Sequence, residues 1–201
     1  MSEQTRVYVI DDDLAVLHSL QALLGLTDYS VRCFSSAQQF LECVPLDAAG
    51  CLITDMQMPE ISGLDLLKTL SSANSPLSVI VVTGVADVPT AVAIMERGAV
   101  TLLEKPYDQS ELLRAVERAV ANSRERWIKQ QDEKSIRERL ATLSDEEQRV
   151  MKQMLSGAPN KAIACALNLS MRTVDRRRHS ILEKMKVNSV PELAIFEVAL
   201  F

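Results

Sequence analysis

Three aspartates, Asp11, Asp12 and Asp13, follow the apolar run Val7 to Ile10, and a fourth, Asp55, follows the run Leu52 to Thr54. Thr83 closes another such run, and Lys105 comes just after one more. Crowded carboxylates repel one another and favour a hard divalent cation; magnesium suits them because it keeps positions open for water and phosphate. A carboxylate such as Asp55 can attack a phosphoryl group and form a mixed carboxyl-phosphate. The metal and Lys105 would then stabilise the phosphoryl charge, and Thr83 would donate to one of its oxygens. Each feature alone has a plain structural use, as a helix cap, a strand residue or a solvated lysine. Their common order, each at the end of an apolar run, points to one pocket.

A second set lies near the other end of the chain. Residues 171–186 carry six basic groups and two acids. Duplex DNA presents a phosphate charge about every 1.7 Å of axis, so clustered arginines supply affinity, while side chains that reach base edges supply selection. A solvated basic helix in a protein-interaction bundle is the plain alternative.

The elements that must position these residues are legible in the hydrophobic pattern. Short β-branched runs alternate with longer helical patterns through the first 120 residues, which signals a parallel sheet with crossover helices on both faces. The expected strands are Val7 to Ile10, Val31 to Phe34, Leu52 to Thr54, Val79 to Thr83 and Val100 to Leu103, with helices near 14–26, 36–44, 62–71, 88–97 and 110–122. The first, third and fourth strands are almost wholly apolar and should be central. In such a sheet, ligands collect beyond the carboxyl ends of the strands, where the acids stand.

Ten of the sixteen residues 124–139 are charged, with no glycine or proline among them, so this stretch reads as an extended helical connector. Trp127, Ile128, Ile136 and Leu140 do not sustain a heptad. A new domain opens at Ser144, where Glu147 three residues on permits a capping box. Asn160 to Leu167, a turn at Asn168 to Ser170, and Met171 to Met185 then have helix-turn-helix spacing, with a last helix expected at Pro191 to Leu200. The division is therefore 1–123, a linker over 124–139, and 140–201.

Charge follows this division: 1–123 carries a net −9, whereas 124–139 and 140–201 carry +2 each. The acidic and basic functions are segregated. Cys33, Cys43, Cys51 and Cys165 have neither metal-site spacing nor disulfide-scaffold density and are expected to be reduced. With only His18 and His179 present, a histidine metal centre or nucleophile relay has little material. No apolar run approaches the length of a membrane span, and the polar start runs straight into a strand, so a cytoplasmic location is expected.

These motifs together resemble the two-component response regulators of the NarL/FixJ class. The receiver motifs stand at Ile10 to Asp13, at Asp55-Met56-Gln57-Met58-Pro59 with Gly63 following, at Val82 to Gly84 and at Lys105-Pro106. The segment from Asn160 to Arg178 resembles the LuxR-type effector. The resemblance implies a flavodoxin-like receiver, a doubly wound α/β fold with a five-stranded parallel sheet, plus an all-α four-helix effector. It implies Asp55 as phosphoacceptor, Thr83 and Lys105 as phosphoryl contacts, and a magnesium ion held by Asp11, Asp12, Asp55 and the backbone carbonyl of Gln57. It also implies a cis bond at Lys105-Pro106. On DNA it places Val174, Asp175, Arg176 and His179 toward the major groove, and Lys161, Arg172, Thr173, Arg177 and Arg178 mainly on phosphates. Leu102 stands where many relatives have a rotating aromatic residue, and the triple arginine at 176–178 departs from their more usual Val-His-Arg.

The implied partners are a sensor histidine kinase, double-stranded DNA, a second copy of the chain after phosphorylation, and RNA polymerase. The chain would not be an enzyme beyond accepting a phosphoryl group and releasing it again. Two rival readings stand beside this one. A DNA-binding regulator active without phosphorylation keeps the basic domain. A haloacid-dehalogenase-type phosphohydrolase would use Asp11 as nucleophile and leaves the Asp55 motif unexplained.

Overall fold

The computed structural model describes residues 5–85, 87–194 and 196. These fall into two compact units, with the division between Ile128 and Lys129. In the first, β1 (Arg6–Ile10), β2 (Ser30–Phe34), β3 (Cys51–Asp55), β4 (Ser78–Thr83) and β5 (Thr101–Glu104) form one parallel sheet in the order β2-β1-β3-β4-β5. The apolar strands β1, β3 and β4 are the central ones, as their pattern requires of strands covered on both faces.

Side-chain alternation divides the core between the two faces. Tyr8, Ile10, Leu52, Val79 and Val81 pack against α2 (Ala37–Cys43), α3 (Gly63–Ser72) and α4 (Val88–Glu96). Val7, Val9, Ile53, Ile80 and Val82 pack against α1 (Leu14–Leu24) and the first part of α5 (Gln109–Ala141). The switch in strand order falls between β1 and β3, so the loops carrying Asp11 and Asp55 leave the sheet side by side. Backbone bonds extend the ladder past the strand ends: Met56 N–H donates to Val82 O at 2.8 Å, and Lys105 N–H donates to Thr83 O at 2.7 Å.

The connector is not separate from the last receiver helix. α5 runs unbroken for 33 residues, because nothing between Gln109 and Ala141 stops a helix. Buried positions end at Ser123, whose hydroxyl accepts from Gly50 N–H at 2.8 Å.

The second unit contains α6 (Asp145–Leu155), α7 (Asn160–Leu167), α8 (Met171–Met185) and the short α9 (Val190–Ala194). Ser144 caps α6 in a complete capping box with Glu147. α7 ends on Asn168 in the left-handed conformation, and Ser170 caps α8 by accepting from Thr173 N–H. Val150, Met154, Ile163, Val174, Ile181 and Met185 close the core. Of the helix expected at Pro191 to Leu200, residues 195 and 197–200 lie outside the described residues.

Candidate functional site

Local folding explains how the carboxylates meet. Asp13 caps α1 by accepting from Ala15 N–H at 2.8 Å, so the third acid of the run is spent on the helix. That cap turns the chain so that Asp11, buried after β1, accepts from Asp13 N–H through Oδ1 at 2.9 Å and keeps Oδ2 for the pocket. Asp55 ends β3 and accepts from Gln57 N–H through Oδ2 at 2.6 Å. The loop beyond it folds back so closely that Gly63 N–H donates to Met56 O. A Cβ on Gly63 would collide with the backbone oxygen of Asp55. Glycine is required there by close approach, not by its dihedral angles.

Lys105 joins the two acids. Its Nζ lies 2.7 Å from Asp55 Oδ1 and 3.0 Å from Asp11 Oδ2. Burial works against the ammonium charge, but hydrogen bonds and attraction to Asp55 and Asp11 outweigh it and hold the group above its ordinary value. The following Lys105-Pro106 bond is cis.

Other residues of the set stand differently. Thr83 is buried, and its hydroxyl donates to Val85 O at 3.0 Å and accepts from Val85 N–H at 3.2 Å. Asp12 is exposed. Among the described residues no three His, Cys, Asp or Glu side chains converge into a preformed metal shell. Leu102 is half-buried and packs against the core beside α4. The side chains brought together are thus Asp11, Asp55 and Lys105.

In the second unit, helical spacing sorts α8 into faces. Val174, Ile181 and Met185 are buried and define the inward stripe. Opposite them, Arg172, Arg176 and His179 are exposed. Val174 corrects an expectation: with no exposed surface it fills the core of the domain and has no access to a major groove. Its position, seven residues before Ile181 on one helix face, is the physical reason.

Arg177, expected on a phosphate, has its guanidinium paired with Glu146 of α6, which braces α8 in the free chain. Thr173 serves the α8 start, with its hydroxyl 2.8 Å from Ser170 Oγ. Arg178 is half-buried, and Lys161 is exposed on α7. Asp175 Oδ1 accepts from Asn160 Nδ2 at 2.6 Å, a link from α8 to α7.

Sequence reasoning found Glu147 as a capping residue but missed its burial and its second set of partners. Besides its capping role it accepts from Lys184 at 2.7 Å and from Ser180 at 2.8 Å. Burial alone would raise its pKa, but the Lys184, Ser144 and Ser180 hydrogen bonds bring it down to about 2. A buried acid is stable only when its oxygens are satisfied, and a lysine at 184 on the same side of α8 as Ser180 was the available signal.

Residues 7–117 match the model of the response regulator receiver domain, and residues 141–196 match that of bacterial regulatory proteins of the luxR family. The chain is 43% identical to the transcriptional regulatory protein FixJ of Azorhizobium caulinodans, over 96% of this chain and 92% of that one. Among solved structures it resembles the response regulator StyR, with a TM-score of 0.86 at 32% identity over 96% of this chain and 97% of that one. It also resembles full-length FixJ from B. japonicum, with a TM-score of 0.59 at 35% identity over 98% of both chains.

Proposed function

The chain belongs to the response regulators that join a receiver domain to a LuxR-type DNA-binding domain, and on that premise we propose that Asp55 is the phosphoacceptor through which a partner sensor histidine kinase controls it. The observation that carries this reading is the approach of Lys105 Nζ to both Asp55 and Asp11. One cation held between two acids from different strand ends marks where an incoming dianion is stabilised. Relatives of this kind are transcriptional regulators, which leaves the hydrolase reading built on Asp11 without support.

Receiver domains bind magnesium at their phosphorylation site. Two carboxylates already drawn to one point supply the incomplete oxygen shell that this ion takes, so the residues fit it. Asp11, Asp12, Asp55 and the Gln57 backbone carbonyl would hold it, and its chemistry there is neutralisation of phosphoryl charge. An Asp55 carboxylate oxygen bonds to phosphorus as the bond to the donor breaks. Lys105 then meets the new charge, and slow hydrolysis of the mixed anhydride resets the protein.

The output begins at Thr83. To donate to the phosphoryl group its hydroxyl must give up Val85 O, which frees the backbone just before α4. α4 carries exposed Val88, Val92 and Met95, at 77%, 50% and 48%. An apolar face of this kind on α4 and β5 pairs with a second receiver once the loop has moved. With half-buried Leu102 in place of an aromatic, the signal passes through backbone shift.

Moving a population from 1:99 to 99:1 takes about 5.5 kcal/mol, which one new charge with two partners in a partly desolvated site can supply. Two effector domains held in one dimer read adjacent half-sites of duplex DNA, because the second contact becomes intramolecular. The dimer works in the cytoplasm, where RNA polymerase is its further partner. Among the described residues no helix is long and apolar enough to cross a membrane.

The test is DNA affinity before and after acetyl phosphate with magnesium. Wild type gains affinity and dimerises, while Asp55→Asn does neither. Equal DNA binding by both, with or without the phosphodonor, would establish the phosphorylation-independent regulator instead.

A further inference from the structure

α8 presents an acid where its function calls for bases. Asp175 is exposed, fifth from the start of a helix whose neighbouring residues Arg172, Arg176, Arg177 and Arg178 are cationic. In a helix-turn-helix the first turns of the second helix meet base edges. A carboxylate there is repelled by the phosphates on either side of the groove, so it is tolerated only where a donor awaits it.

The carboxylate is also aimed. Asn160, at the first position of α7, donates from Nδ2 to Asp175 Oδ1 at 2.6 Å. That bond uses one oxygen and fixes the rotamer of an otherwise exposed side chain. Among the described residues Oδ2 has no partner, so one acceptor is presented in one direction.

We infer that Asp175 selects a cytosine in the major groove of each half-site and that Asn160 is its positioning residue. The inference rests on the reading of α8 as the helix that enters DNA. Cytosine N4 is the base edge whose major-groove pattern is a donor alone. Adenine sets its N6 donor beside an N7 acceptor, which faces the carboxylate with a lone pair. Guanine and thymine offer O6 and N7, or O4 and a methyl group, and no donor. A fixed acceptor-only group therefore ranks cytosine first and adenine second.

The experiment is selection from a pool of random-sequence duplexes by the full chain, treated with acetyl phosphate and magnesium, as wild type, Asp175→Asn and Asn160→Ala. Wild type should recover a two-part motif with cytosine at one pair in each half, preferred over adenine by about tenfold. Asp175→Asn keeps its Oδ1 on Asn160 and presents an amide N–H in place of the acceptor, so it should recover the same motif with guanine or thymine, which offer acceptors, replacing cytosine at that pair alone. Asn160→Ala should keep every other pair and bring cytosine and adenine toward parity at that one.

A structural clamp between α7 and α8 would instead weaken all positions together in both variants, and that result overturns the inference. So does an unchanged motif with Asp175→Asn. If wild type itself recovers no motif, the DNA-reading role of α8 fails, a result distinct from the loss of one base.

Discussion

Lys105 and Asp55 are 50 residues apart in sequence, and Nζ of one donates to Oδ1 of the other at 2.7 Å. The contact joins the turn after β5 to the end of β3 across the intervening strand β4. Strand order therefore brings a cation and a nucleophile together that have no local reason to meet. The same ammonium reaches Asp11, so its removal leaves two carboxylates facing each other.

Lys105→Ala should slow phosphoryl uptake from acetyl phosphate at least tenfold, since one lost electrostatic contact in a transition state costs more than about 1.4 kcal/mol. Time-resolved intact mass spectrometry reads the rate directly. An unchanged rate would remove Lys105 from the phosphoryl site.

Gly63→Ala alters no charge yet places a Cβ against the backbone oxygen of Asp55. The expected result is slower phosphorylation and a destabilised receiver, by about 1–3 kcal/mol as for other overpacked sites. Urea unfolding and the same mass assay check both parts. A variant equal to wild type in both would show that the loop can move aside freely.

Glu147 makes the stability of the second unit depend on pH. Its pKa in the fold is near 2 against an ordinary 4.5, so the carboxylate stabilises the fold fully above about 4.5, and that contribution is lost as pH falls toward 2. Glu147→Gln should destabilise by about 3 kcal/mol at pH 7, and its difference from wild type should shrink steadily below pH 4.5. Chemical denaturation across that range measures it; a difference constant with pH would contradict the assignment.

Val174 and Arg176 stand two residues apart on α8 but should fail in different assays. Val174→Ala removes buried methyl groups and should cost about 2 kcal/mol of folding stability. Arg176→Ala, on the exposed face, should leave stability unchanged and weaken binding to selected DNA more than to random DNA. Equal losses on both DNAs would move Arg176 to the phosphate contacts.

Much of this was legible from residue order alone. Asp11, Asp55, Thr83 and Lys105 each end an apolar run, and a doubly wound sheet sends all those ends to one edge. The helix-turn-helix was equally plain, because Asn168 to Ser170 interrupts two amphipathic stretches. Other parts were less plain. Likeness to relatives places Val174 toward DNA, although its spacing from Ile181 and Met185 marks it as core. Arg177 carries the charge of a phosphate contact, and its pairing with Glu146 on α6 depends on tertiary placement that no local pattern shows. The connector, a charged run without glycine or proline, continues α5 as helix with no break after Ser123. The second role of Glu147 depends on Lys184, 37 residues away, which no local pattern joins to it.

The central claim is that one carboxylate carries the switch. Incubating the full chain with acetyl phosphate and magnesium, and following intact mass, should show the gain of a single phosphoryl group in wild type and none in Asp55→Asn. A phosphoryl group retained by Asp55→Asn, or placed by peptide mapping on another residue of the wild type, would contradict it.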